Sequence, residues 1–251
     1  MAEHNYKEIA KQARLAVLSM VYKAQSSHIG SNFSVIDILT VLFEKADITK
    51  DKIILSAGWK AASFYYFLAQ KGFIEESELD TYNQDGSRLI GLTEPGVPGV
   101  HFAGGSMGLG LPASVGFALA KKINGEEGTV YCVMSDGELN SGTTWESILI
   151  ADQHKLDNLV VFIDSNGLQA MGKTSTILHA ELPHFSTLDG HDFGQIERAI
   201  YAGKTYGSPL YLKAQTIKGK GWKRAENNNL YHYKNLSEEE YLEAKQEINA
   251  G

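Results

Sequence analysis

Cysteine, proline and long hydrophobic runs are scarce in this chain of 251 residues, which has one cysteine and five prolines. The lone Cys132 has no partner for a disulfide bond and lies in an apolar run, which favours a buried thiol and a reducing compartment. No run reaches the roughly 20 apolar residues that a membrane span requires. The first 24 residues have the helical spacing of an amphipathic helix and not the pattern of a signal peptide. We therefore expect a cytoplasmic protein without a membrane partner.

Clustered positive charge is also missing. The chain has 23 Lys and Arg against 30 Asp and Glu, and its formal net charge is −7. Nucleic acids and anionic membranes bind through clusters of basic residues. The charge pattern therefore excludes nucleic acid as the main partner.

Four short runs rich in β-branched residues end in turn-forming residues. They are Lys52–Gly58, Thr129–Gly137, Leu159–Gly167 and Pro209–Thr216. Their apolar residues are continuous instead of alternating, which is typical of strands that are covered on both faces of a parallel sheet.

Helical spacing of apolar residues separates these runs. The predicted helices include Val35–Phe43, Ala61–Lys71, Pro112–Ile123 and Thr143–Lys155. Ser237 is a predicted N-cap of a terminal helix. Alternating strands and helices predict an α/β fold with a doubly wound, mainly parallel sheet and helices on both faces. No repeat or linker divides the sequence, so we expect a single domain over 1–251.

Polar residues follow two of the predicted strands. Asp136 and Asn166 each precede a glycine and lie 30 residues apart, which is one strand-helix-strand unit. This connectivity places both at the carboxyl edge of the sheet, where α/β proteins bind ligands. With a loop carbonyl such as that of Leu168, they offer oxygen ligands suited to Mg²⁺ or Ca²⁺. Asp-Gly and Asn-Gly are also good turn formers, which explains either one alone, whereas both in register favour a site.

A glycine-dense segment, GVHFAGGSMGLGLPASVGFALAKKI, runs directly into a predicted helix. Such a loop offers backbone N–H groups and a helix N-terminus to a phosphate. It matches neither the G-x-G-x-x-G of dinucleotide folds nor the G-K-[ST] ending of a P-loop. Because glycines also permit close helix packing, the segment alone leaves both interpretations open.

The segment SDGELNSGTTWESILIADQHKLDNLVVFIDSNGLQ resembles the thiamine-diphosphate motif of transketolases, which opens Gly-Asp-Gly and closes on an asparagine about thirty residues later. Four further segments also resemble the family: SSHIGSNFSVIDIL, the glycine-dense segment, DGHDF and IKGKGW. The resemblance extends over nearly the whole chain. It implies an α/β diphosphate-binding domain.

The resemblance also implies roles for individual residues. It assigns Mg²⁺ (or Ca²⁺) to Asp136, Asn166 and the carbonyl of Leu168. It assigns thiamine-diphosphate contacts to Gly105, Met107, Gly137, Asp164, Asn166 and Trp59. It assigns catalytic positions to His28 and His232, which face substrate and cofactor, and to Glu146, an acid at the subunit interface. For either histidine taken alone, a structural or surface role is the simpler interpretation.

Transketolases transfer a two-carbon ketol unit between sugar or sugar-phosphate substrates, and a pyrimidine-binding domain supplies the glutamate that activates the cofactor. That domain normally follows in the same chain, and this sequence contains no counterpart. The resemblance therefore implies the N-terminal half of a split transketolase. We expect the partner to be a separate pyrimidine-binding subunit, in an α2β2 heterotetramer.

Several positions depart from the family pattern. Trp59 and Leu92 stand where transketolases usually have histidines beside the diphosphate and the donor's hydroxyl. Ser135 and Ser141 replace a glycine and a glutamate. A pocket that cannot pair a substrate hydroxyl binds it poorly, so we expect the cofactor to be retained and the donor to be a 2-oxo acid or an unusual ketose.

Two other functions remain open. One is a divergent thiamine-diphosphate-dependent decarboxylase or ligase in unusual-sugar biosynthesis, which Leu92 favours. The other is a non-catalytic scaffold or regulatory subunit, which Trp59 and Ser141 favour.

Overall fold

Five parallel strands form the central sheet in the computed structural model, which describes residues 2–176 and 185–251. In chain order they are β1 (Lys52–Leu55), β2 (Val130–Ser135), β3 (Leu159–Ser165), β6 (Ser186–Asp189) and β7 (Leu210–Gln215). Their order in the sheet is β1-β2-β3-β7-β6. A small antiparallel hairpin of β4 (Leu168–Gln169) and β5 (Gly172–Lys173) follows β3.

Seven α-helices surround the sheet within the described ranges. They are α1 (Ala2–Lys23), α2 (Ile29–Lys45), α3 (Ala61–Gln70), α4 (Gly110–Asn124), α5 (Gly142–Gln153), α6 (Phe193–Gly203) and α7 (Glu238–Ala250). Short 3₁₀ turns after β1 (Gly58–Lys60) and β2 (Asp136–Asn140) carry the chain away from the sheet. In the part of the chain that the structure describes, no helix is long and apolar enough to cross a membrane.

Successive residues of each strand point to opposite faces of the sheet, and two separate cores result. On one face, Ile53, Tyr131 and Phe162 belong to a core that includes residues of α1, α2, α3, α6 and α7. On the other face, Cys132 and Val161 belong to a core with residues of α4 and α5. Both faces are therefore buried, which explains the continuous apolar character of the strands and confirms the predicted fold class.

The four predicted strands and the predicted helices are present, with bounds that differ by a few residues. Ser237 caps α7 as predicted, accepting a hydrogen bond from the backbone N–H of Glu240. The sequence analysis did not predict β6 or α6. Strand β6 lies at the sheet edge and has only one buried residue among four, so it lacks the apolar run that marked the others. Helix α6 had a usable signal, because Asp192 caps it and its buried residues have helical spacing.

A buried polar network ties the end of β7 to α1 and α2. Arg14 donates two hydrogen bonds to the Asp37 carboxylate, at 2.9 and 2.7 Å. His191 Nδ1 lies 2.7 Å from Asp37, and its Nε2 accepts the backbone N–H of Ile217 at 2.8 Å. Because Nε2 accepts, the ring proton is on Nδ1 and is donated to Asp37. Burial opposes ionisation of Asp37, but Arg14 and His191 outweigh it and lower the pKa of this carboxyl to about 2.

The two ring nitrogens of His191 can be tested separately. Asparagine at 191 keeps a donor near Asp37 and removes the acceptor of the Ile217 N–H, which should lower the free energy of unfolding by roughly 1–3 kcal/mol. Glutamine at 191 reaches the acceptor position and should lower it less. Chemical denaturation of His191→Asn and His191→Gln measures both, and an equal or greater loss in His191→Gln would contradict the assigned ring orientation.

Candidate active site

A pocket lies beyond the carboxyl ends of β1, β2 and β3. Its empty volume is ≈ 680 Å³, within the range of small-molecule sites. Seven of the predicted site residues line it: His28, Trp59, Met107, Gly137, Asn166, Leu168 and His232. The fold thus brings residues from five separate segments of the chain to one opening.

Four predicted residues do not line the pocket. Asp136 and Asp164 are buried, with 6% and 0% of their surface exposed. Gly105 lies near Leu92, since a Cβ added to Gly105 would be 3.6 Å from Leu92 Cδ1. Glu146 is exposed on α5. The role predicted for Glu146 therefore requires a second chain to reach it.

Asp136 has one satisfied and one unsatisfied carboxylate oxygen. Its Oδ2 accepts the backbone N–H of Gly167 at 2.7 Å and the hydroxyl of Thr174 at 3.3 Å. Its Oδ1 is buried and has no hydrogen-bond partner among the described residues. Buried polar atoms are almost always paired, so an exception requires an explanation. A cation bound beside Oδ1 supplies one.

Asn166 and Leu168 stand next to Asp136 in the fold, because Asp136 bonds the N–H of the intervening Gly167. The side-chain oxygen of Asn166 accepts the N–H of Leu168 at 3.1 Å, so the loop is folded into a tight turn. Both residues line the pocket. One carboxylate, one amide oxygen and one carbonyl are hard ligands, and this donor set fits Mg²⁺.

The proton affinity of Asp136 is raised in this setting. Burial and the neighbouring charge of Asp164 raise the pKa of Asp136 to about 6, against the opposing hydrogen bond from Gly167. Both causes penalise the negative charge of Asp136. A bound divalent cation would remove that penalty.

Asp164 is the centre of a buried cluster. Its carboxylate forms an ion pair with Lys60 and accepts hydrogen bonds from the hydroxyls of Ser34, at 2.6 Å, and Thr216. Burial opposes its ionisation, but Lys60 and the hydroxyls keep the pKa of Asp164 below its usual range. The structure therefore gives Asp164 protein partners and does not place it in the pocket, where the sequence analysis had predicted a cofactor contact.

Glu138 joins the loops that frame the pocket. Fully buried, it accepts hydrogen bonds from the Ser56 hydroxyl, the Ser135 N–H at 2.7 Å and the Gly108 N–H at 3.1 Å. Gly108 has a φ of +80°, and a Cβ there would lie 2.4 Å from that of Ser141. Glu138 is thus a structural carboxylate, and part of the glycine-dense segment serves close packing.

The two histidines face each other at the pocket wall, with ring centroids 4.9 Å apart. Buried Lys218 donates to His232 Nδ1 at 2.7 Å, so the other ring nitrogen of His232 carries the proton. Burial and the charge of Lys218 lower the pKa of His28 to about 4 and that of His232 to about 3. Both rings are therefore neutral at pH 7. His232 presents an N–H donor.

Lys60 and Lys218 were not predicted as site residues. Lys60 sits at the start of a buried helix, in SAGWKAA, where its sequence neighbours give no indication of an ion pair. Lys218 follows the last strand in the polar segment IKGKGW. That position at a carboxyl edge was the available indication, since ligands bind there.

Comparison with known proteins agrees with this geometry. The family model described as "Transketolase, thiamine diphosphate binding domain" matches residues 5–250. The chain is 32% identical over 258 residues to one of the named subunits of apulose-4-phosphate transketolase from Phocaeicola vulgatus, covering 95% of this chain and 92% of that protein. It is 30% identical to "6-deoxy-6-sulfo-D-fructose transketolase subunit SqwG" of a Clostridium species, covering 95% and 94%.

Full-length transketolases match over a part of their length. Human transketolase is 30% identical over 96% of this chain and 42% of its own. The crystal structure of Campylobacter jejuni transketolase superposes with a TM-score of 0.91 at 27% identity, over 97% of this chain and 42% of that one. Fold and site together define a thiamine-diphosphate-binding domain. The chain belongs to the transketolase family and corresponds to the N-terminal part of the full-length enzymes.

The pairing of Lys218 with His232 predicts a measurable pKa change. Lys218→Met removes a positive charge and a donor from His232, so the pKa of His232 should rise from about 3 while staying below its ordinary value, because the ring remains buried. NMR titration of the His232 ring measures it. Lys220→Met, which removes a partly exposed side chain on the same segment, is the control. An unchanged pKa in Lys218→Met would contradict the assignment.

Proposed function

We propose that residues 1–251 act as one diphosphate-binding domain of a two-chain, transketolase-like enzyme that uses thiamine diphosphate and Mg²⁺. It transfers a two-carbon ketol unit between sugar or sugar-phosphate substrates. The observation that carries the proposal is the unpaired, buried Oδ1 of Asp136 beside a pocket lined by Gly137, Asn166 and Leu168. Cys132, buried and free, is consistent with a cytoplasmic location.

The residues of this chain would hold the cofactor and orient the substrate. Asp136, Asn166 and the Leu168 carbonyl would bind Mg²⁺, and the backbone of Gly137 would bind the diphosphate. Bound thiamine diphosphate supplies the stabilised carbanion on which ketol transfer depends. His232, neutral and with its proton directed away from Lys218, donates a hydrogen bond to a substrate oxygen. His28, 4.9 Å from it, forms the same wall.

A separate pyrimidine-binding subunit completes the site in this proposal. Relatives that this chain matches over nearly their full length are named as subunits. The pocket mouth also has large apolar side chains in contact with solvent: Met107, Met171 and Tyr233 are 44%, 77% and 64% exposed. Exposed apolar groups around an opening are typical of a surface that another protein covers. We expect an α2β2 heterotetramer, with Glu146 available at an interface because it is exposed on α5.

Leu92 supports a donor different from that of ordinary transketolases. Its side chain is 40% exposed, and its carbonyl accepts a hydrogen bond from Tyr65 at 2.9 Å. An apolar group there offers no partner for a donor hydroxyl. The relatives named for apulose 4-phosphate and for 6-deoxy-6-sulfo-D-fructose support a substrate outside the common sugar phosphates. A decarboxylase or ligase acting on a related substrate is the second candidate that Leu92 favours.

Removing the carboxylate of Asp136 should have opposite effects on stability and on binding. Its pKa of about 6 in the fold exceeds the unfolded value of 3.8, so its charge destabilises the metal-free protein above pH 6, and this cost disappears as the pH falls towards 4. At pH 8 in a chelator, Asp136→Asn should raise the free energy of unfolding by about 1–3 kcal/mol. It should also abolish stabilisation by Mg²⁺ and thiamine diphosphate.

Thermal and chemical unfolding, with and without both ligands, measure these effects. Asp85→Asn, at an exposed position, is the control and should change neither. Intact ligand stabilisation in Asp136→Asn would defeat the metal assignment. If the wild-type chain, purified with its partner subunit, binds no thiamine diphosphate, the scaffold function is favoured instead.

Substitution of Leu92 tests the donor. In the assembled enzyme, Leu92→His should increase kcat/KM for xylulose 5-phosphate by about tenfold or more, because it restores a partner for the donor hydroxyl. Leu92→Met is the matched apolar control. A screen of ketoses and 2-oxo acids identifies the natural donor, and wild-type turnover of xylulose 5-phosphate at ordinary transketolase rates would contradict the altered specificity.

A further inference from the structure

We propose that Lys60 is a direct ligand of the cofactor's diphosphate; this rests on the proposed function and adds a binding residue to it. The residue ends the 3₁₀ turn Gly58–Lys60, immediately after β1. It borders the pocket together with Gly137 and Asn166. Only 1% of its surface is exposed, so solvent does not provide its hydrogen-bond partners.

Lys60 carries the only permanent positive charge among the described residues that line the pocket. The other lining groups are neutral polar or apolar residues and the two histidines, His28 and His232, whose pKa values are lowered to about 4 and 3. A diphosphate brings more negative charge than one Mg²⁺ neutralises. A buried anion requires a compensating charge, and on this wall Lys60 is the residue that provides it.

The hydrogen bonds of the Lys60 ammonium support the same assignment. An ammonium has three donors, yet within the described ranges its one acceptor is Asp164. Asp164 also takes the hydroxyls of Ser34 and Thr216. The pair thus fixes the ammonium at the pocket floor and leaves it donors. Trp59, the neighbouring lining residue, has a single N–H donor and no charge.

A purely structural role predicts a different outcome for a matched pair of variants. If Lys60 serves only to neutralise Asp164, removing both charges should leave ligand binding intact. If Lys60 binds the diphosphate, removing both charges should weaken binding even though no buried charge is left unpaired. Lys60→Gln with Asp164→Asn makes this comparison, because the two amides can bond each other and keep the hydroxyl contacts of Asp164.

The experiment is calorimetric titration of the full chain, purified with its partner subunit, with Mg²⁺-thiamine diphosphate and with Mg²⁺-pyrophosphate. The double variant should weaken binding of both ligands about 10- to 100-fold, as expected for a lost charge-assisted hydrogen bond. Lys60→Arg, which keeps the charge, should lose less. Lys220→Met, which lies outside the pocket, is the control and should bind like the wild type.

Wild-type affinity in the double variant would overturn the role of Lys60 and leave the proposed function standing. A wild-type complex that binds neither ligand would overturn both. A crystal structure of the wild-type complex with Mg²⁺-pyrophosphate decides the matter even if the double variant does not fold. Lys60 Nζ within about 3.2 Å of a phosphate oxygen supports the proposal, and a longer separation without hydrogen bonding overturns it.

Discussion

The ion pair between Lys60 and Asp164 is the constraint on which the rest of the site depends. Asp164 lies near the end of β3 and is fully buried, and the groups that satisfy it come from the turn after β1, from α2 and from the end of β7. A buried carboxylate without partners is strongly destabilising. These segments must therefore converge on one point for the chain to fold, and Lys60 connects that point to the pocket.

Neutralising Asp164 in this way determines the chemistry around it. Asp136 remains the carboxylate with an unpaired oxygen, and its raised pKa reflects burial and the nearby charge of Asp164. Burial and the charge of Lys218 keep the two histidines of the wall neutral. The arrangement is costly in the absence of ligands and favourable once a cation and a phosphate bind, which is the usual relation between stability and function at a preorganised site.

The pocket is also an incomplete enclosure. Its floor is polar and buried, whereas its mouth exposes Met107, Met171 and Tyr233. A floor that binds the charged end of a ligand and a mouth that favours apolar contact fit a site that two chains share. The family comparison agrees, because full-length relatives extend well beyond the region that this chain matches.

The sequence by itself determined the fold class, the positions of four strands, the N-cap at Ser237 and the convergence of seven predicted residues on one pocket. Hydrophobic periodicity and capping are local properties, and the spacing of Asp136 and Asn166 follows from the connectivity of a single strand-helix-strand unit. The edge strand β6 was not predicted because an exposed strand has no apolar run.

Only the tertiary structure identified Lys60 and Lys218, paired Asp164 with protein groups instead of the pocket, and placed Glu146 on an exposed part of its helix. Lys60 and Asp164 are 104 positions apart in the chain. The energy of a buried charge depends on which groups surround it in space, and no local pattern of residues contains that information.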